Sequence, residues 1–204
     1  MDIQPPEPDD LIARARSGDA VALGRLLDQY RAYLTLLARL QIGSRLRGKA
    51  DPADVIQEVF LEAARSFPQF RWRTEAELVG WLRQVLASKL GELFRRYLGA
   101  QRRDVRREQD LTAELDRSSR DLGALVAAPG SSPSQQAARR EQAVLLADAL
   151  ERLPEHYREV IVLHHMEGLS LPEVAGRMGR SAGAVEKLWA RALARLRDML
   201  REQS

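Results

Sequence analysis

Few residues of this 204-residue chain could do covalent or metal chemistry. His164 and His165 are adjacent, so on a helix their side chains diverge by about 100° and cannot chelate one ion as an i, i+4 pair would. His156 stands near a predicted helix start. Asp54, Glu58 and Glu62 share one helix face at steps of four, a spacing that could mimic a carboxylate metal site. No matching histidine or second acidic helix accompanies them, so they read as a solvated interaction face. Cysteine is absent, which removes disulfides and thiolate metal sites. No Gly-rich phosphate loop and no nucleophile elbow occurs. Tyr97 beside Arg95 and Arg96 is the only arrangement that a DNA-processing enzyme such as a recombinase could use. The chain is therefore not read as an enzyme, and no catalytic residue, metal or cofactor is assigned.

What remains is the chemistry of charge. From Arg95 to Arg107 there are six arginines (95, 96, 102, 103, 106 and 107) against one acid, Asp104. From Arg180 to Arg201 there are six basic residues against Glu186 and Asp198. The formal net charge is only +3, so the distribution is what informs: two separated basic stretches suit a protein that touches a polyanion at two places. Arginine outnumbers lysine 29 to 3, which favours bidentate phosphate contacts and also fits a GC-rich genome.

The elements that must carry these residues are helices. The stretch from Leu169 to Arg197 reads as a short helix, a tight turn and a longer basic helix. Ser170 can cap the first, which carries Leu171, Val174, Ala175 and Met178 on one face. Gly179 supplies a turn residue free of Cβ strain, and Ser181 can cap the second helix. Beyond it Val185, Leu188, Trp189, Ala192, Leu193 and Leu196 form an apolar stripe. Lys187, Arg191, Arg195 and Arg197 supply positive charge. Two helices joined in this way suit insertion into a DNA major groove.

Helical spacing dominates the rest, and nothing alternates with period two for long. A short helix from Leu11 should end near Gly18, and Asp19 can cap the next, whose apolar face runs Leu23, Leu26, Leu27, Tyr30, Leu34, Leu37. Gly43 to Ala50 is predicted to be a loop. Asp51 followed by Pro52 marks a helix start, and that helix runs through Val55, Ile56, Val59, Phe60 and Ala63 until Pro68 stops it. The segment Pro68 to Thr74 is an aromatic and basic loop. Thr74 and Glu77 have capping-box spacing and open a long helix to at least Tyr97. The expectation is an all-α protein: a helical domain over 8–108, a flexible Pro- and Ser-bearing linker over 109–137, and a domain with a helix-turn-helix over 138–204. Apolar content of 45% supports real cores. The acidic N-terminus is not a signal peptide and no apolar stretch approaches membrane-spanning length, so the chain reads as cytoplasmic, with no membrane insertion.

The pattern resembles bacterial RNA polymerase sigma factors of the extracytoplasmic-function group. In the second domain the matching positions include Leu153-Pro154, Arg158, Gly168-Leu169-Ser170, Glu173-Val174-Ala175, Ser181, Val185 and Arg191-Ala192-Leu193. In the first domain Asp51, Asp54, Gln57, Glu58, Phe60, Leu61 and Ala63 match the group's core-binding helix, and Trp81-Leu82, Val85 and Arg95-Arg96 its promoter-melting helix. The resemblance implies a promoter-specificity subunit that binds core RNA polymerase and helps melt promoter DNA, with an anti-sigma factor as a further candidate partner. It implies core contacts at Asp54, Gln57 and Glu58. It implies minus-ten contacts at Arg71, Trp72 and Arg73, in the promoter-melting helix around Ser88 and Lys89, and at Arg95, Arg96, Arg102 and Arg103. It implies minus-thirty-five contacts at Ser181, Ala182, Ala184, Lys187 and Arg191, with Lys187 for a base edge and Arg191 for phosphate. Three positions depart from the pattern: Ser88-Lys89 where an asparagine is common, Ala64 for a common Trp, and Glu186 for a frequent basic residue. The other reading left open is a helix-turn-helix regulator that acts without being a polymerase subunit.

Overall fold

In a computed structural model, the backbone is described for residues 8–46, 50–69, 71, 74–98, 105–124 and 135–202. These residues form ten α-helices, and no strand occurs among them. The chain divides into two compact units, residues 1–116 and 117–204.

The first unit holds α1 (Pro8–Arg16), α2 (Ala20–Asp28), α3 (Arg31–Leu46), α4 (Pro52–Ser66), α5 (Glu75–Leu98) and the start of α6 (Val105–Ala124). Local signals set most ends. Gly18, at φ +95°, closes α1. The Asp19 carboxylate accepts from the Val21 and Ala22 amides at 2.9 and 3.0 Å and so caps α2. Asp51 accepts from the Ala53 amide at 2.8 Å, with Pro52 in the first turn of α4. Phe67–Gln69 tightens into a 3₁₀ turn at Pro68, and Thr74 Oγ1 accepts from the Glu77 amide at 3.3 Å. The core packs Leu26, Leu34 and Leu37 against Ile56 and Val59 of α4 and Leu78, Leu82, Leu86 and Leu90 of α5, all at or near zero exposure.

Three boundaries differ from the sequence expectation. The single helix expected through Leu23–Leu37 is two, α2 and α3, which meet at Gln29–Tyr30 without a glycine or proline. Tyr30 is 1% exposed and its hydroxyl donates to Glu75 at 2.9 Å, so a tertiary contact fixes the join. Gly43–Leu46, expected as loop, continues α3. Ile42 and Leu46 are buried, and the Arg45 guanidinium lies 5.0 Å from the Phe94 ring centre and 2.6 Å from Glu114, which outweighs the helix cost of one glycine. Residues 109–124, assigned to the linker, belong to α6. There Leu111, Leu115, Ser119 and Leu122 are buried at helical spacing beneath a mixed-charge surface.

The second unit holds the rest of α6, then α7 (Gln135–Arg152), α8 (Glu155–Ile161), a π-turn (Val162–Met166), α9 (Leu171–Met178) and α10 (Ala182–Arg201). Its core includes Leu146, Leu150, Val160, Ile161, Val174, Val185, Ala192 and Leu196. The α9–α10 turn follows the sequence closely. Both Oγ and the amide of Ser170 donate to Glu173, at 2.6 and 2.8 Å. This holds the Glu173 carboxyl below its ordinary range. Gly179 is left-handed at φ +62°, and the Arg180 amide donates back to the Ala175 carbonyl at 2.9 Å. Ser181 Oγ accepts from the Ala184 amide at 3.4 Å.

Candidate polyanion and partner surfaces

On α4, Val55, Ile56, Val59 and Ala63 face inward. That leaves Asp54, Gln57, Glu58 and Leu61 on the outer face, at steps of three and four. Leu61 is 58% exposed, the one large apolar side chain on this acidic stripe. Glu62, on the flank, is drawn away from the stripe: it lies 3.6 Å from Lys89 of α5 and accepts from Ser66.

Beside the stripe a cleft of about 370 Å³ opens between α4 and the end of α5. Asp51, Asp54 and Glu58 line it from one side, and Leu93, Arg96 and Tyr97 from the other. The structure thus brings the three sequence-predicted core-binding residues together and adds Tyr97, which the sequence offered only as a recombinase-like arrangement beside Arg95 and Arg96. Adjacent arginines diverge here. Arg95 turns to α6 and lies 3.3 Å from Glu108, whereas Arg96 is exposed and lines the cleft.

The other basic residues proposed for promoter melting fall into two groups. Lys89 is half-buried between Glu62 and Glu92, at 3.6 and 3.4 Å, with Ser88 half-buried next to it. Arg71 is exposed and donates to the Pro68 carbonyl at 3.2 Å. Phe70, Trp72, Arg73, Arg102 and Arg103 lie outside the described residues, as do the side chains of Arg106 and Arg107.

In α10 the surface is simpler. Val185, Ala192 and Leu196 are buried, and Leu188, Trp189 and Leu193 half-buried, as the stripe requires. Ser181, Ala182, Ala184, Lys187 and Arg191 are all exposed, with Ser181, Ala182 and Ala184 around the capped N-terminus. A capped amino end with small side chains lets a helix approach a groove closely, and a lysine in its second turn then reaches base edges.

Sequence reasoning found no role for the paired histidines, and the structure gives them one. His164 Nδ1 lies 2.7 Å from the Leu169 carbonyl. Trp189 Nε1 donates to His165 Nε2 at 3.0 Å, so the π-turn is stapled to α10. An indole N–H only donates, so His165 is neutral with its proton on Nδ1. Burial, then the neighbouring His164, pushes its pKa down. Among the described residues no group of three or more acidic, His or Cys side chains could hold a metal ion, and no helix is long and apolar enough to cross a membrane.

Residues 143–196, which hold the helix-turn-helix, match the family "Sigma-70, region 4". The ECF RNA polymerase sigma factor SigD of Mycobacterium tuberculosis (strain H37Rv) is 31% identical over 200 residues, covering 97% of this chain and 86% of SigD. The RNA polymerase sigma factor CnrH of Cupriavidus metallidurans is 32% identical over 190 residues, 93% of this chain and 92% of CnrH. The solved structure of CnrH in complex with the cytosolic domain of CnrY aligns with 97% of this chain and 100% of that chain, at 28% identity and a TM-score of 0.35. The alignments to SigD and CnrH span both units, and the chain belongs to the extracytoplasmic-function RNA polymerase sigma factors.

Proposed function

We propose that the two units divide the work of a promoter-specificity subunit between protein docking and DNA reading. A sigma factor binds core RNA polymerase and directs it to promoters, here in the cytoplasm where the polymerase and the DNA are. In this chain residues 8–108 form the module for core polymerase and the minus-ten element, residues 138–204 read the minus-thirty-five element, and 109–137 connect them. The α4 face of Asp54, Gln57 and Glu58 pairs with basic residues of a polymerase helix, where charge complementarity sets register and on-rate. Arg71, Trp72 and Arg73, with the arginines at 102, 103, 106 and 107, hold the melted strand: the aromatic by stacking on a base, the cations by phosphate contacts. Lys187 reads a base edge and Arg191 a phosphate. Melting draws on differential binding to single and double strands, with no covalent step by the protein. An anti-sigma factor that covered the α4 face of this chain would compete with core polymerase for it.

The observation that carries this reading is the exposed acidic stripe on α4 in one unit, without an ion pair among the described residues, together with the exposed basic face of a capped α10 in the other. Holoenzyme binding to a promoter library at two salt concentrations tests the division of labour. Lys187→Ala relaxes sequence preference at the upstream element by about 1–3 kcal/mol. Neutralising Arg102, Arg103, Arg106 and Arg107 weakens all promoters alike and flattens the salt dependence by about one slope unit per lost phosphate contact. An even loss from Lys187→Ala, or a changed sequence preference from the arginine variants, contradicts the assignment.

A further inference from the structure

We infer that the C-terminal end of α5, through Arg96 and Tyr97, belongs to the polymerase-docking surface and not to the DNA-binding surface, and that the cleft it shares with α4 receives an arginine side chain of the core enzyme. The inference rests on the reading of α4 as the core-binding face and extends it to a second helix.

Three observations carry it. The first is placement. Arg96 and Tyr97 line the same cleft as Asp54, Gln57 and Glu58, while Arg95, one residue earlier, points to Glu108 on α6. The two arginines that look like one DNA-binding pair in the sequence thus serve different surfaces. The second is charge. Among the described residues, Asp51, Asp54 and Glu58 line the cleft against the one guanidinium of Arg96, so this lining is net negative. A DNA phosphate brought to Arg96 would meet three carboxylates, whereas a partner cation is attracted. The third is shape and chemistry. Tyr97 is 48% exposed at the edge of the cleft, and with Leu93 it gives an acidic pocket an aromatic and apolar wall. Carboxylates beside an aromatic face suit a guanidinium, which donates in-plane hydrogen bonds to the acids while its flat face stacks on the ring. Lysine fits less well because its ammonium lacks the flat face. Arg96 repels a cation on its own side and so confines the incoming guanidinium to the Asp54–Glu58 side. The surface is continuous with the exposed Leu61 farther along α4, which gives the interface an apolar contact next to its charged one.

The test titrates full-length protein against core polymerase and, separately, holoenzyme against promoter DNA. Tyr97→Ala weakens core binding about tenfold, Tyr97→Phe keeps wild-type affinity because the ring remains, and Tyr97→Arg weakens it further through like-charge contact with the incoming arginine. Helical content is monitored by circular dichroism, and Tyr97→Phe serves as the variant least able to perturb folding. Arg96→Gln leaves the salt slope of DNA binding unchanged. If Tyr97→Ala and Tyr97→Arg bind core normally while Gln57→Ala/Glu58→Ala does not, the inference falls and the α4 reading stands. If none of these variants loses core affinity, both fall. If Tyr97→Arg tightens promoter binding, or Arg96→Gln lowers its salt slope, the end of α5 belongs to DNA and the inference is overturned.

Discussion

The basic residues of the two units live under different rules. In α10, Lys187, Arg191, Arg195 and Arg197 are exposed and have no ion pair among the described residues, so the charge written in the sequence is the charge a ligand meets. In the first unit several of the described cations are claimed by the protein itself. Arg45 pairs with Glu114 and Arg83 with Asp116, both at distances of 2.6–2.7 Å. Lys89 sits between Glu62 and Glu92, and Arg95 against Glu108. Exposed cations are thus open to a ligand on α10, whereas Arg45, Arg83, Lys89 and Arg95 of the first unit tie helices together. Only packing decides which, because the acids that neutralise Arg83 and Arg95 lie 33 and 13 residues away in the chain.

That contrast predicts very different costs for removing charge. The sharpest case is Arg83, whose side chain is only 6% exposed; it donates to Asp116 at 2.7 Å and to the Tyr33 hydroxyl at 3.1 Å. Asp116→Asn leaves a buried guanidinium without its counter-charge and should lower unfolding free energy by about 2–3 kcal/mol. Arg191→Gln on α10 should change it by less than about 0.5 kcal/mol, since an exposed substitution disturbs no packing. Chemical denaturation of the full chain measures both. Equal effects would erase the distinction between tie and binding residue.

A smaller effect tests whether the second unit is set by local signals. Gly179→Ala puts a Cβ at φ +62°, where no atom lies within 4 Å of it, so its cost is backbone strain alone: about 1–2 kcal/mol by thermal unfolding. A neutral result would mean that the turn is held by packing and not by its glycine. The most modest effect concerns pH. His165 has its pKa lowered, first by burial and second by His164, so the folded unit binds fewer protons than the unfolded chain between that lowered value and the ordinary one of about 6.5. Its contribution is complete above about pH 6.5 and is lost as pH falls below that, when protonation removes the acceptor for Trp189. Comparing thermal unfolding at pH 7.5 and 5.5, His165→Gln should flatten the slope. An unchanged slope would show that the staple does not couple to protons.

What was legible in the sequence follows the same divide. Ser170, Gly179, Ser181, Asp19 and the Asp51-Pro52 pair each act on backbone groups within a few residues, so their effects could be read without knowing the fold. The α2–α3 join, the helical course of Gly43–Leu46 and the extent of α6 could not. Each is decided by a distant partner: Glu75 for Tyr30, Phe94 and Glu114 for Arg45, and the burial of Leu111, Leu115 and Leu122. The acidic stripe on α4 was visible because it lies on one helix. The cleft was not, because Arg96 and Tyr97 reach it only through the packing of α5 on α4. The angle of about 100° between neighbours on a helix was the one available hint that Arg95 and Arg96 serve different surfaces.

Start-site mapping with purified components is the most direct measurement of whether docking on α4 and reading by α10 together make a promoter-specificity subunit. Core RNA polymerase plus this protein, on fragmented DNA of its own genome, should give discrete transcription starts that core alone does not give. Gln57→Ala/Glu58→Ala should remove those starts in step with lost core affinity at unchanged helical content. Lys187→Ala should keep core affinity and redistribute the starts. If starts are no more specific than with core alone, or if they persist undiminished when the α4 face is neutralised, the account is wrong.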